Sequence, residues 1–141
     1  MTSPRAPWGA ILDVPDVIDV TRSEMVRSGG GTPFNASEVE CVQARFGTAW
    51  TSECYVADSD KIEGYTFACA LLVNLSRAHC LTDGNKRLAW ISFTMALARL
   101  GFGLEASTDE AEQFCIRIIV EGLDHGVVAA WASDRIIELE L

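Results

Sequence analysis

Residues 78–90 read A-H-C-L-T-D-G-N-K-R-L-A-W. Lys86 and Arg87 follow directly on Gly84 and Asn85, where a strongly apolar helical pattern begins. A helix N-terminus carries partial positive charge and favours Asp or Glu. Two cations there break the local rule, and such conflicts concentrate at functional positions. The polar segment H-C-L-T-D-G-N lies between two apolar stretches, so its reading as a loop joining two buried helices decides the fold.

The stretch before it, Asp60 to Arg77, carries Ile62, Phe67, Ala68, Leu71, Leu72 and Leu75 at helical intervals, with Ala78 following. Asp60 and Glu63 have the spacing of a capping box. Small and apolar residues surround this helix, which predicts burial on more than one side. The stretch after it, Gly84 to Leu100, repeats Leu88, Ile91, Met95 and Ala98, and Gly101 suits a stop.

Working outward, Val17–Val26 reads as a helix with Met25 and Val26 inward. It is broken by S-G-G-G-T-P-F-N. Asn35 or Ser37 suits the cap of a helix carrying Val39, Val42 and Phe46. Gly47–Asp58 has no clear pattern, and Tyr55 and Val56 suggest a short extended piece. Ser107 and Glu110 have capping-box spacing ahead of Phe114, Ile116, Ile118, Ile119 and Val120, all read as inward. Gly122 and Gly126 break the chain before Val127–Leu139, with Val128, Trp131, Ile136 and Ile137 as core. Six helical segments and no clear strand pair predict an all-α domain spanning residues 1–141, with 1–10 as an irregular lead-in.

The totals agree. With 49% apolar residues, 141 residues build a folded core rather than a disordered chain. A net charge of −9 argues against direct nucleic-acid binding and against an anionic membrane surface. No stretch is apolar enough to span a membrane, and the start has no signal-peptide pattern. A cytoplasmic protein is expected. The five cysteines form no C-x-x-C, so reduced thiols are expected rather than a disulfide framework or a zinc site.

The polar loop supplies matched chemistry. Gly84 permits a tight turn and close approach of a ligand to the backbone. The helix start offers unpaired N–H groups to an anion. Lys86 and Arg87 add full charges, and Arg grips phosphate oxygens in a bidentate manner. Asp83 is a hard oxygen ligand suited to Mg²⁺. His79 removes a proton near neutral pH. A base, a metal ligand and an anion cradle fit phosphoryl or nucleotidyl transfer to a hydroxyl. Read singly, His79 is a helix-end residue, Asp83 a cap, and Lys86 and Arg87 surface charges. The combination favours the site.

His79, Asp83, Gly84, Asn85, Lys86 and Arg87 together resemble the signature of the Fic/Doc family, H-x-F-x-[DN]-[AG]-N-K-R in its Doc form. Weaker similarities accompany it: Gly30, Gly31 and Pro33 early, Gln43, Phe46 and Gly47 in the second helix, and Gly122 to Trp131 near the end. The resemblance implies a Fic/Doc-type helical bundle with the motif loop between two central helices. AMP-transferring members usually have Gly at the place of Lys86 and a second Arg at the place of Trp90, so the resemblance favours the Doc, or death-on-curing, branch. That branch implies a toxin that transfers the ATP γ-phosphate to a threonine of elongation factor Tu and is blocked by a Phd-like antitoxin.

Carried over by position, His79 is the base and Asp83 holds Mg²⁺. Gly84 and Asn85 form the anion hole, Lys86 and Arg87 bind ATP phosphates, and Arg77 adds a phosphate contact. The pattern's Phe is Leu81 here, and Cys80 replaces a common Pro or Ile. Ser59–Gly64 fits a short autoinhibitory pattern, for which ordinary capping is the simpler reading. The rivals are an AMP-transferring enzyme and a catalytically silent antitoxin-binding protein; a ribonuclease is remote because the chain is acidic. His125 reads as a loop residue and the four tryptophans as packing groups, with Trp50 in the region of a target-binding flap.

Overall fold

Six helices and one short antiparallel ribbon make up the described chain. They run in the order α1 (Val14–Arg27), α2 (Ala36–Tyr55), α3 (Tyr65–Arg77), α4 (Asn85–Arg99), β1 (Phe102–Leu104), α5 (Thr108–Glu121), α6 (His125–Ser133) and β2 (Ile136–Glu138). The computed structural model describes residues 6–27, 29, 34–56 and 62–140. The loop expected at Gly30–Pro33, the cap expected at Asp60 and the start of the Ser59–Gly64 pattern lie outside the described residues. No described helix is long and apolar enough to cross a membrane.

The mostly helical class agrees with the all-α expectation, and α3 is its central element. Phe67 through Val73 are buried without interruption, with Leu75 and Ser76 beyond them. A helix buried all round must pack on several neighbours, and α3 packs on α2, α4, α5 and α6. The edge-on ring pairs Phe46–Phe67 at 6.0 Å and Trp50–Phe67 at 5.5 Å fix it against α2. Trp50 is therefore a helical packing residue, in line with its simpler reading.

Gly64 precedes α3 with φ near +90° and offers no side chain to cap the helix. A Cβ there would lie 2.7 Å from Ile11 Cδ1 and 3.0 Å from a Leu100 methyl, so glycine is required twice over. The missing cap comes from α2. Glu53 is 2% exposed, and its Oε1 accepts the Phe67 backbone N–H at 2.9 Å. A carboxylate at a helix N-terminus satisfies an orphan donor and opposes the helix dipole. Glu53→Ala loses this cap and leaves a void. The thermal midpoint should fall by roughly 5–10 °C, while Glu53→Gln, which retains an acceptor, falls less.

The structure corrects several expectations. The short extended piece suggested by Tyr55 and Val56 is confined to the capping residue Val56, because α2 runs on through Tyr55. Of the two offered caps, Asn35 is the one used, in a reciprocal pair with Glu38. The last segment does not continue as a helix to Leu139. α6 ends at Ser133, and Ile136–Glu138 pairs with β1, with Gly103 opposite Ile137. Ile136 is half-buried and Ile137 exposed, so neither lies in the core. Val26, Ile62, Ile116, Ile119 and Val120 are also exposed. α5 turns only Phe114, Cys115 and Ile118 inward. In α4 the buried stripe is Leu88, Ala89, Ser92, Phe93, Ala96 and Leu97. Ile91 and Met95 are half-buried and Ala98 is exposed.

The expectation of reduced thiols is overturned for one pair. Cys41 on α2 and Cys80 in the loop after α3 form a disulfide, their Cα atoms 5.4 Å apart. They are separated by 39 residues in sequence, so local spacing carries no sign of the pairing. Cys54, Cys69 and Cys115 are free. Burial pushes the Cys69 thiol up to about 12 and the Cys115 thiol up to about 11. Both remain protonated and unreactive at neutral pH.

Candidate functional site

α3 ends at Arg77 and α4 begins at Asn85. The seven residues between them are held by their own side chains. Leu81, in the position of the pattern's Phe, is 4% exposed and joins the core, so the apolar anchor is kept. The Asn85 side chain closes the loop from the other end. Its Oδ1 accepts the Leu81 N–H at 2.9 Å and its Nδ2 donates to the Leu81 carbonyl at 2.8 Å. An amide that pairs with both backbone groups of one residue is a clamp. Asn85 therefore shapes the loop with its side chain, and its backbone N–H and second amide hydrogen are left for an anion. Asn85→Ala breaks both bonds, and stability should fall by ~1–2 kcal/mol by chemical denaturation.

Gly84 caps α4 with φ near +93° and no side-chain cap. A Cβ on Gly84 would lie 2.9 Å from Met25 Sδ of α1. Leu88 N–H already bonds the Gly84 carbonyl. Asp83 does not cap the helix, so its carboxylate stays available to a cation. The first N–H groups of α4 accordingly have no side-chain acceptor.

These features face one cavity of about 850 Å³. His79, Asp83, Gly84, Asn85, Lys86 and Arg87 all line it. The size lies within the range that holds a drug-sized or nucleotide-sized molecule. His79, Asp83, Lys86 and Arg87 are exposed. None of the four side chains makes a hydrogen bond or ion pair with another described residue. The chain has 20 acidic and 11 basic residues, so two cations left without a carboxylate beside an uncapped helix start form a local exception. The arrangement suits a multiply charged anion.

Arg77 is not brought to this cavity. Its guanidinium donates to the Leu123 carbonyl just after α5, with Gly122 alongside. It closes the C-terminal end of α5, where a cation meets the negative end of the helix dipole.

Other lining residues escaped the sequence reading. Trp90 lines the cavity as well as packing edge-on against Phe93 and Trp131. Its spacing held the signal, because Trp90 lies three and four residues after Arg87 and Lys86, on the same helix face. The opposite wall comes from α5 and the residues before it, with Ser107, Thr108, Glu112, Cys115 and Ile119. No local pattern announces that wall; the packing of α5 on α3 creates it. Ser76 also lines the cavity, and its hydroxyl is buried without a hydrogen-bond partner among the described residues.

A family model described as Fic/DOC family matches residues 12–97, more than half of the chain. A search of curated proteins and a search of solved structures gave no match.

Proposed function

The chain belongs to the Fic/DOC family, whose members are typically transferases, and from that premise we propose that it transfers the γ-phosphate of ATP to a threonine or serine hydroxyl of a protein. The observation that carries this reading is the pair of cations, Lys86 and Arg87, without an ion-pair partner among the described residues, at an uncapped helix start beside His79 in one cavity. Elongation factor Tu is the proposed target, by resemblance to the Doc branch. Trp90 supports that branch, since it stands where AMP-transferring members carry a second Arg.

In the proposed step, His79 accepts the proton of the target hydroxyl as its oxygen bonds to the γ-phosphorus. The bond from that phosphorus to the β–γ bridging oxygen breaks, and ADP leaves. Lys86, Arg87 and the first N–H groups of α4 hold the phosphate oxygens, where charge develops. Asp83 is the residue to hold Mg²⁺, which neutralises phosphate charge when bound. Among the described residues no three His, Cys, Asp or Glu side chains cluster as a metal cage. Mg²⁺ is commonly bound through one or two carboxylates plus substrate phosphates.

The family is commonly part of toxin–antitoxin systems, and a Phd-like antitoxin is the proposed partner. The exposed Ile116, Ile119 and Val120 of α5 give an amphipathic helix an apolar face to pack on. Ile119 also lines the cavity, so a helix laid there would cover its mouth.

The test is intact-mass spectrometry of elongation factor Tu after incubation with the protein, ATP and Mg²⁺, beside His79→Ala. One phosphoryl group added only by the unmutated protein is the expected result. A nucleotide added instead would overturn the kinase reading in favour of AMP transfer. An unchanged mass would overturn the assignment of this target.

A further inference from the structure

The Cys41–Cys80 disulfide joins α2 to the residue that directly follows His79. We propose that this pair is a redox switch on the transfer step: closed, it holds the motif loop against α2 and fixes His79; open, it frees the loop and slows transfer. The inference rests on His79 being the base, as proposed above.

The loop has two kinds of anchor. At its far end, the Asn85 clamp on Leu81 and the burial of Leu81 do not depend on any thiol. At its near end, His79 itself is exposed and makes no hydrogen bond or ion pair with another described residue. His79 is flanked by two fixed points: Ala78, buried and bonded through its N–H to the Asn74 carbonyl at the end of α3, and Cys80, buried and tied to α2. Opening the disulfide therefore loosens the His79 end of the loop and leaves the α4 end, with Lys86 and Arg87, in place. The two ends do different work, so the effect should fall on the transfer rate and spare nucleotide affinity.

The chemistry is a two-electron exchange. Cys41–SH and Cys80–SH react with a small-molecule disulfide RSSR to give the Cys41–S–S–Cys80 bond and two RSH. The cysteine pair is oxidised, RSSR is reduced, and the two thiol protons end on the two RSH molecules. A thiol reductant runs the reaction backward. Cys41 is half-buried and gives the reagent its point of attack. Cys69 and Cys115 are buried, with thiols held protonated, and do not compete. In a reducing compartment a pair of this kind is characteristically transient and redox-sensing.

The experiment compares protein treated with oxidised glutathione and protein treated with dithiothreitol. Alkylation under denaturing, non-reducing conditions should label no more than three of the five cysteines in the first, two where the exposed Cys54 has taken up glutathione, and all five in the second. The chain has two histidines, so its imidazole NMR spectrum holds two sets of signals, assigned with His125→Gln. Dithiothreitol should shift or broaden the His79 signal and leave His125 unmoved. The transfer rate should fall about tenfold at unchanged KM for ATP, the cost of a base held loosely. Cys41→Ser and Cys41→Ala should both behave like the reduced protein and ignore the reductant.

Five labelled cysteines after oxidation would overturn the proposal. So would an unchanged His79 signal and rate on reduction. Equal movement of both histidines would also overturn it, because the disulfide would then act on the whole fold. If the His79 signal responds but no form transfers phosphate to elongation factor Tu, the switch of the loop stands and the assignment of this target fails.

Discussion

His79→Ala should lower phosphate transfer by about 10³-fold, in the range by which a positioned general base accelerates proton removal. The loss should appear in kcat, because the residues assigned to phosphate binding are untouched. KM for ATP should change little. The fold should be indifferent to this substitution: His79 is exposed and outside both helices, so stability should shift by no more than about 0.5 kcal/mol. Initial rates over a range of ATP concentrations, with a thermal melt of each protein, check both statements. A variant that keeps more than a tenth of the rate would remove His79 from the role of base. Its surroundings explain why it is suited to that role, since no other described residue claims its ring by hydrogen bond or ion pair.

Arg87→Ala should have the second-largest effect, with ATP binding weakened about 100-fold through the loss of a bidentate, charge-assisted contact. Arg87→Lys should recover only part of this, because a point charge does not reproduce the planar fork. Calorimetric titration with ATP and Mg²⁺ measures the change, and added salt should narrow the gap between wild type and variant. Arg87 has no carboxylate partner among the described residues, which makes the test clean. Removing Arg87 strands no buried acid, so the change reports the ligand contact rather than repair of the protein. Equal affinity in wild type and Arg87→Ala would place the phosphates elsewhere.

The all-α class was legible in the sequence, and so was the polar loop that gathers the candidate residues. Its chemistry lies in nine consecutive residues, and a loop between two apolar helices is readable from glycine, cations and periodicity alone. Within that loop the sequence did not separate roles. Asn85 was read as part of the anion hole, and its amide also clamps the Leu81 backbone. Arg77 was read as a phosphate contact, yet it closes the end of α5. Both differences come from where side chains can reach after packing, which spacing does not record.

The less legible parts share a cause. Ile116, Ile119 and Val120 looked like core because they are apolar, but α5 packs through a narrow stripe and leaves them outside. Ile136 and Ile137 extended a helical pattern on paper, but the chain turns after Ser133 and pairs them with β1. Three-residue strands are too short to show alternation. The Cys41–Cys80 pair depends on α2 lying beside the loop, a purely tertiary fact.

The most direct measurement is a crystal structure with Mg²⁺ and an ATP analogue that cannot be hydrolysed at the γ-phosphate. The γ-phosphate should lie against the first N–H groups of α4, between Lys86 and Arg87, with His79 facing it. An α-phosphate in that place would contradict phosphoryl transfer and make the protein a nucleotidyl transferase. Phosphates bound away from α4 would contradict the assignment of the site itself.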